Sequence, residues 1–179
     1  MSKLRLKKEL QALDKEQLIQ LVLDAYDARR ETKEYFEFFL NPDIGKLRAK
    51  SEIAISKELD RSRRGGYCKA RISYIRQMIK DFASFHPGFE EHLDLLFYTV
   101  SYAMLSELHL NFSDTLERGI ASLLQQIVDI ADLNGVASQT MERLGKLLGN
   151  ERAGSRYFRN YLAAELQKIL TSPTLKRVT

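Results

Sequence analysis

The chain has no tryptophan, a single cysteine and only three prolines in 179 residues. A lone Cys68 excludes an intrachain disulfide and any zinc site built on paired cysteines, and it fits a reducing compartment. So few prolines leave long stretches free to run as helix. Strand signals are equally scarce. No Asn-Gly or Asp-Gly turn separates alternating apolar runs, and the one Asn-Gly pair, Asn134-Gly135, follows a helical pattern. Gly-x-Ser-x-Gly, Walker-type and Gly-x-Gly-x-x-Gly motifs are all missing, so neither a nucleophile elbow nor a nucleotide cradle marks an enzyme. None of the three histidines, His86, His92 and His109, has an acid three residues before it, as a helical di-iron site requires. No metal and no cofactor are therefore expected, and the chain is read as a non-enzyme.

Long apolar runs are also lacking. The opening MSKLRLKKEL is basic but leads into charged amphipathic sequence rather than a signal core. The most apolar stretch, Phe89 to Leu110, carries Asp94 and Glu107 and falls short of the roughly 20 apolar residues of a membrane span. No membrane association is expected, and the cytoplasm is the expected location.

What is present is helical patterning. Hydrophobic content of 44% with 29% charged residues is that of a folded soluble protein rather than a disordered one. Apolar spacing of three and four dominates throughout. Residues 89–110 are apolar on every side and are read as a central helix enclosed by the others. Around it, about seven to nine helices are expected in an all-α irregular multi-helix bundle or layered array of helical hairpins. Residues 1–171 are read as a single domain and 172–179 as a short basic tail.

Local signals place several boundaries. Asp14 with Gln17 three residues later predicts a capping box opening a helix with Leu18, Leu21, Val22 and Ala25. A break near Arg30 leads to TKEYFEFFL, whose Tyr35, Phe36, Phe38 and Phe39 are read as core. Asn41-Pro42 predicts the cap and first turn of the next helix, to about Asp60, whose thin stripe suggests an outer position. Arg61 to Gly66 reads as a flexible basic connection. A helix from about Tyr67 to Phe82 then carries Cys68, Ile72, Ile75, Ile79 and Phe82 on one stripe. Further helices are expected over about 114–133, 138–148 and 155–170.

Charge is unevenly spread. Residues 46–80 carry a balance of +8, and residues 89–132 one of −7. Either the two segments neighbour each other and partly neutralise, or the basic one presents a surface to a polyanion. The candidate polyanion-binding residues are Arg61, Arg63, Arg64, Lys69, Arg71 and Arg76, with Lys80 following and Tyr67 and Tyr74 interleaved for base stacking. A third candidate is a ligand pocket beside Tyr98 and Tyr102, one turn apart on the central helix. The principal reading is a helical module that binds a protein partner or a second copy of itself. Nucleic acid or nucleotide binding through 61–80 and a small-molecule pocket are the alternatives.

The segments SKLRLKKELQALDKEQLIQLVLDAYD (2–27), KEYFEFFLNP (33–42), KARIS (69–73) and LLFYTVSYA (95–103) give the chain a likeness to a known family. Over about residues 2–135 it resembles a bacterial domain family of unknown function, best represented among Bacteroidetes. The resemblance implies a small, cytoplasmic, all-helical protein and carries over no functional residues. It draws attention to Lys69, Ala70, Arg71 and Ser73, and the chain departs from that pattern at Gly65-Gly66.

Overall fold

The computed structural model describes residues 2–171. Nine helices occur among them: α1 (Lys3–Gln11), α2 (Lys15–Ala28), α3 (Arg30–Leu40), α4 (Ile44–Leu59), α5 (Ile72–Ser84), α6 (Phe89–Glu107), α7 (Asp114–Leu133), α8 (Ala137–Gly149) and α9 (Arg156–Thr171). The described residues contain no strand, only two isolated bridges, Ser62 with Cys68 and Tyr67 with Asn111. The class is all-α, as the spacing predicts. None of the described helices is long and apolar enough to cross a membrane.

The chain divides into two compact units, Met1–Asp43 and Ile44–Thr179, where the sequence reading takes 1–171 as one domain. The tail assigned to 172–179 lies outside the described residues. The division falls at Asn41-Pro42-Asp43, between helices.

In the first unit the predicted capping box is present in full. The Gln17 N–H donates to Asp14 Oδ1 at 2.8 Å and the Asp14 N–H to Gln17 Oε1 at 3.1 Å. Arg29, in extended conformation, separates α2 from α3. Asn41 closes α3, its N–H donating to Glu37 O at 3.0 Å, rather than opening α4, which starts at Ile44. None of the described residues of α1, α2 or α3 is buried. The aromatic cluster read as core is therefore not core: Tyr35 and Phe39 are exposed, and Phe36 and Phe38 are only half-buried.

The second unit holds the core. α6 touches α4, α5, α7 and α9. Leu93, Leu95, Leu96, Phe97, Val100, Ala103 and Met104 of α6 are buried against Ile75, Ile79 and Phe82 of α5 and Leu116, Ile120, Leu123, Leu124 and Ile127 of α7. These residues recur at three and four, so each helix turns one continuous stripe inward. α6 is central, yet it is not enclosed on every side. Leu105 is exposed and Tyr98 and Tyr102 are half-buried, so one flank of the helix opens outward.

The place of α4 and the start of α5 also differ from the sequence reading. α4 is not peripheral: Ile55, Glu58 and Leu59 in its last turns are buried, and the helix packs on α5 and α6. Its fully buried residues are confined to the C-terminal end, while Leu47 nearer the start is only partly buried against the core. α5 begins at Ile72, not Tyr67, because the preceding backbone is engaged elsewhere. The Cys68 N–H donates to Asn111 O at 3.0 Å and the Lys69 N–H to Arg61 O at 2.7 Å.

Candidate functional site

The basic segment is built on a hairpin rather than a loose connection. The Arg63 N–H donates to Tyr67 O at 2.8 Å, and the Gly66 N–H to Arg63 O at 3.2 Å. Gly65 and Gly66 both have positive φ, 87° and 75°, conformations that glycine adopts without the steric penalty of a Cβ. The Asn111 N–H donates to Gly66 O at 2.7 Å and ties this turn to the segment joining α6 and α7.

At the foot of the hairpin lies a carboxylate the sequence reading did not single out. Glu58 is buried, 7% exposed, and receives the Arg71 N–H at 2.9 Å, Arg71 Nε at 3.2 Å and an Arg61 guanidinium N–H at 2.9 Å. Burial alone would push its carboxyl up, but the hydrogen bonds from Arg71 and Arg61 outweigh this and hold it below its usual value. The signal for it was an acid inside an apolar stripe, Ile55-x-x-Glu58-Leu59, followed by an arginine-rich turn. Cys68 belongs to the same knot. Its Sγ donates to Leu59 O at 3.3 Å, and burial pushes the thiol up, which makes it a poor nucleophile.

The six candidate cations thus fall into two groups. Arg61 and Arg71 clamp Glu58, and the Arg71 guanidinium also sits 3.5 Å from the Tyr74 ring centroid. Arg76 donates to Ser122 Oγ at 2.7 Å, joining α5 to α7. Arg63, Arg64 and Lys69 are exposed on the hairpin beside Tyr67, which is also exposed. These three stand exposed on the hairpin, while the other three brace the fold.

Tyr98 and Tyr102 stack, with ring centroids 5.7 Å apart. They face different surroundings. The Tyr102 hydroxyl donates to Asp60 Oδ2 at 2.7 Å, which pushes its pKa up to about 12. Tyr98 lines an open cavity of about 420 Å³ together with Arg48, Asp94, Phe97 and Arg143. Here the basic and acidic segments meet. Arg48 donates to Glu91 and to Asp94, each at 2.9 Å, and pairs with Glu52 at 3.2 Å. Arg143 donates to Asp94 at 2.6 Å and lies 4.0 Å from the Phe97 ring centroid. Each guanidinium at the cavity already has a carboxylate, so little charge is left over for a ligand. Apart from the Arg48–Glu52 pair, nothing local in the sequence could have found this network, since Arg48 lies 43 and 46 positions from Glu91 and Asp94, and Arg143 lies 49 from Asp94.

His92 is half-buried, and burial lowers its pKa, so the ring is neutral at pH 7. Among the described residues, no three His, Cys, Asp or Glu side chains gather as metal ligands.

In the first unit, the helices that carry no buried residue expose a run of large apolar side chains. Phe39 and Leu40 on α3 are 70% and 71% exposed, and Ile19 and Leu23 on α2 are each 50% exposed. Leu18, Ile19, Val22 and Leu23 line a concavity of about 270 Å³ with Lys15 at its edge. An apolar surface of this kind is normally covered by something.

Comparison with curated proteins and with solved structures gives no match. Residues 1–169 match DUF6155, a family of unknown function, and the chain belongs to that family.

Proposed function

We propose that the protein is a non-enzymatic helical interaction module that docks a protein chain through the uncovered apolar faces of α2 and α3. The supporting observation is that α1, α2 and α3 contain no buried residue while Ile19, Leu23, Phe39 and Leu40 stand open. Helices of 9, 14 and 11 residues are marginal in water without an apolar face to pack against. A bacterial cytoplasm is the setting that fits this reading. The test places a photo-cross-linking amino acid at Ile19 or Phe39 in the expressing cell. Leu133 on α7, 85% exposed, is the control position. Protein adducts at Ile19 and Phe39 but not at Leu133 are expected; equal labelling at all three overturns the reading.

A second reading, polyanion binding by the hairpin, is favoured by Arg63, Arg64 and Lys69 standing exposed around Tyr67. It predicts that a labelled single-stranded oligonucleotide binds with steep salt dependence. Replacing all three cations with glutamate should reduce the log–log salt slope by about 2. No binding at low salt removes this reading.

A further inference from the structure

We propose that the cleft between α4, α6 and α8 binds an organic cation, an aliphatic di- or polyamine, whose ammonium group takes the seat that Arg143 holds on Asp94 and Phe97. The cleft belongs wholly to the second unit, so this site goes beyond the interaction reading and does not depend on it.

Two open cavities, of about 420 and 310 Å³, adjoin along α6. Asp94, Phe97 and Arg143 line both, so the Asp94–Arg143 pair and the Phe97 ring form the wall they share. That wall already holds a cation. The Arg143 guanidinium donates to Asp94 Oδ1 at 2.6 Å and lies 4.0 Å from the Phe97 ring centroid, so a carboxylate and an aromatic face share one positive charge. Its occupant is loosely held. The Arg143 side chain is 51% exposed, and exposed ion pairs contribute little. A ligand that offers the same charge, and buries apolar length besides, displaces it and joins the two cavities.

The charge around the cleft selects the sign of the ligand. Glu52, Glu90 and Asp94 line the cavities, and Glu91 pairs with Arg48, which with Arg143 supplies the only lining cations. Both guanidiniums are engaged by carboxylates, which leaves neither for an anion. The surplus of acid attracts a cation instead. A metal ion fits poorly, because no three His, Cys, Asp or Glu side chains among the described residues gather as ligands. Spacing then gives the length. Glu90 is exposed, forms no ion pair with a described residue and lies one helical turn before Asp94, about 6 Å along the axis. A short aliphatic diamine spans that gap with an ammonium at each carboxylate. Leu93 and Phe97 supply the apolar wall for its methylenes.

Isothermal titration calorimetry on the full chain at low salt, with putrescine and n-butylamine as probes, tests the site. Putrescine should bind more tightly than butylamine. Asp94→Asn should weaken putrescine about tenfold, whereas Asp129→Asn, the same charge change at an exposed position of α7, should leave it unaltered. Arg143→Gln removes the resident competitor and should tighten putrescine about threefold. Lys146→Gln, the same loss of charge one turn further along α8, should not. Glu90→Gln should bring putrescine down to the level of butylamine and leave butylamine unchanged. If circular dichroism shows Asp94→Asn to be unfolded, Arg143→Gln and Glu90→Gln decide, since each replaces an exposed side chain. The absence of binding heat from putrescine with both the wild type and Arg143→Gln overturns the proposal. So does binding that Asp94→Asn and Asp129→Asn weaken equally, or that Arg143→Gln fails to tighten.

Discussion

Gly119 of α7 lies directly against Ile72 at the start of α5. A Cβ placed on Gly119 would stand 2.3 Å from Ile72 Cγ1 and 2.9 Å from Ile72 Cβ. The second of these atoms is fixed to the backbone and cannot swing away. Gly119→Ala should therefore destabilise the fold by about 1–3 kcal/mol of overpacking, despite a helix-propensity gain of about 1 kcal/mol. Urea unfolding measures the change. Combined with Ile72→Ala, the loss should be smaller than the sum of the two single losses, because the contacts with Ile72 Cγ1 and Cδ1 are removed and only that with Cβ stays.

Glu58 gives the fold an acid-side dependence. Its carboxyl is held below the ordinary value of 4.5, so its contribution is present in full above that value and is lost as pH falls through the lower, folded-state pKa. Glu58→Gln should cost about 1–3 kcal/mol at pH 7. It should also flatten the fall in melting temperature below about pH 4.5 relative to the wild type. Differential scanning calorimetry from pH 7 down to pH 3 checks both.

Tyr102 gives the opposite sign at alkaline pH. Its hydroxyl is raised from 10.0 to about 12 by the hydrogen bond to Asp60, so the stability it adds is present below pH 10 and is lost as pH rises through about 12. An ultraviolet titration of the tyrosines should show this late component. Asp60→Asn should move it back toward the ordinary range, and Tyr102→Phe should abolish it.

Asp14 holds the first turn of α2. Asp14→Ala removes the half of the capping box that accepts the Gln17 N–H, leaving the backbone N–H of residue 14 on Gln17 Oε1, and should cost about 1 kcal/mol of local helix stability. Amide exchange of residues 15–28 should speed up, while that of α6 and α7 stays unchanged.

The helices were legible because their signals are local. The Asp14–Gln17 box and the stripe of Ile75, Ile79 and Phe82 depend on residues three and four apart, and both reappear in the structure. The misread boundaries lie where a distant partner intervenes. Cys68 fits the α5 stripe by spacing, yet Asn111 holds its N–H at 3.0 Å, so the chain stays extended there. Asn41 has the residue type for an N-cap, and Glu37 O takes its N–H instead. For the candidate sites, residue type located the arginines but could not divide them. Only the burial of Glu58 shows that Arg61 and Arg71 are bound into the fold while Arg63 and Arg64 are not.

By itself the sequence determined the helical class, most helix positions and the central place of residues 89–107, since backbone propensity and apolar periodicity act over single turns. Tertiary structure alone decided which apolar stripes are covered. The stripes of α5, α6 and α7 meet one another and are buried, whereas Ile19, Val22 and Leu23 of α2 stay exposed, although its pattern is also apolar. It also decided the meeting of Asp94 with Arg48 and Arg143, at 2.9 and 2.6 Å across 46 and 49 positions. Such encounters follow from how whole helices pack, and that information is not carried by neighbours in the chain.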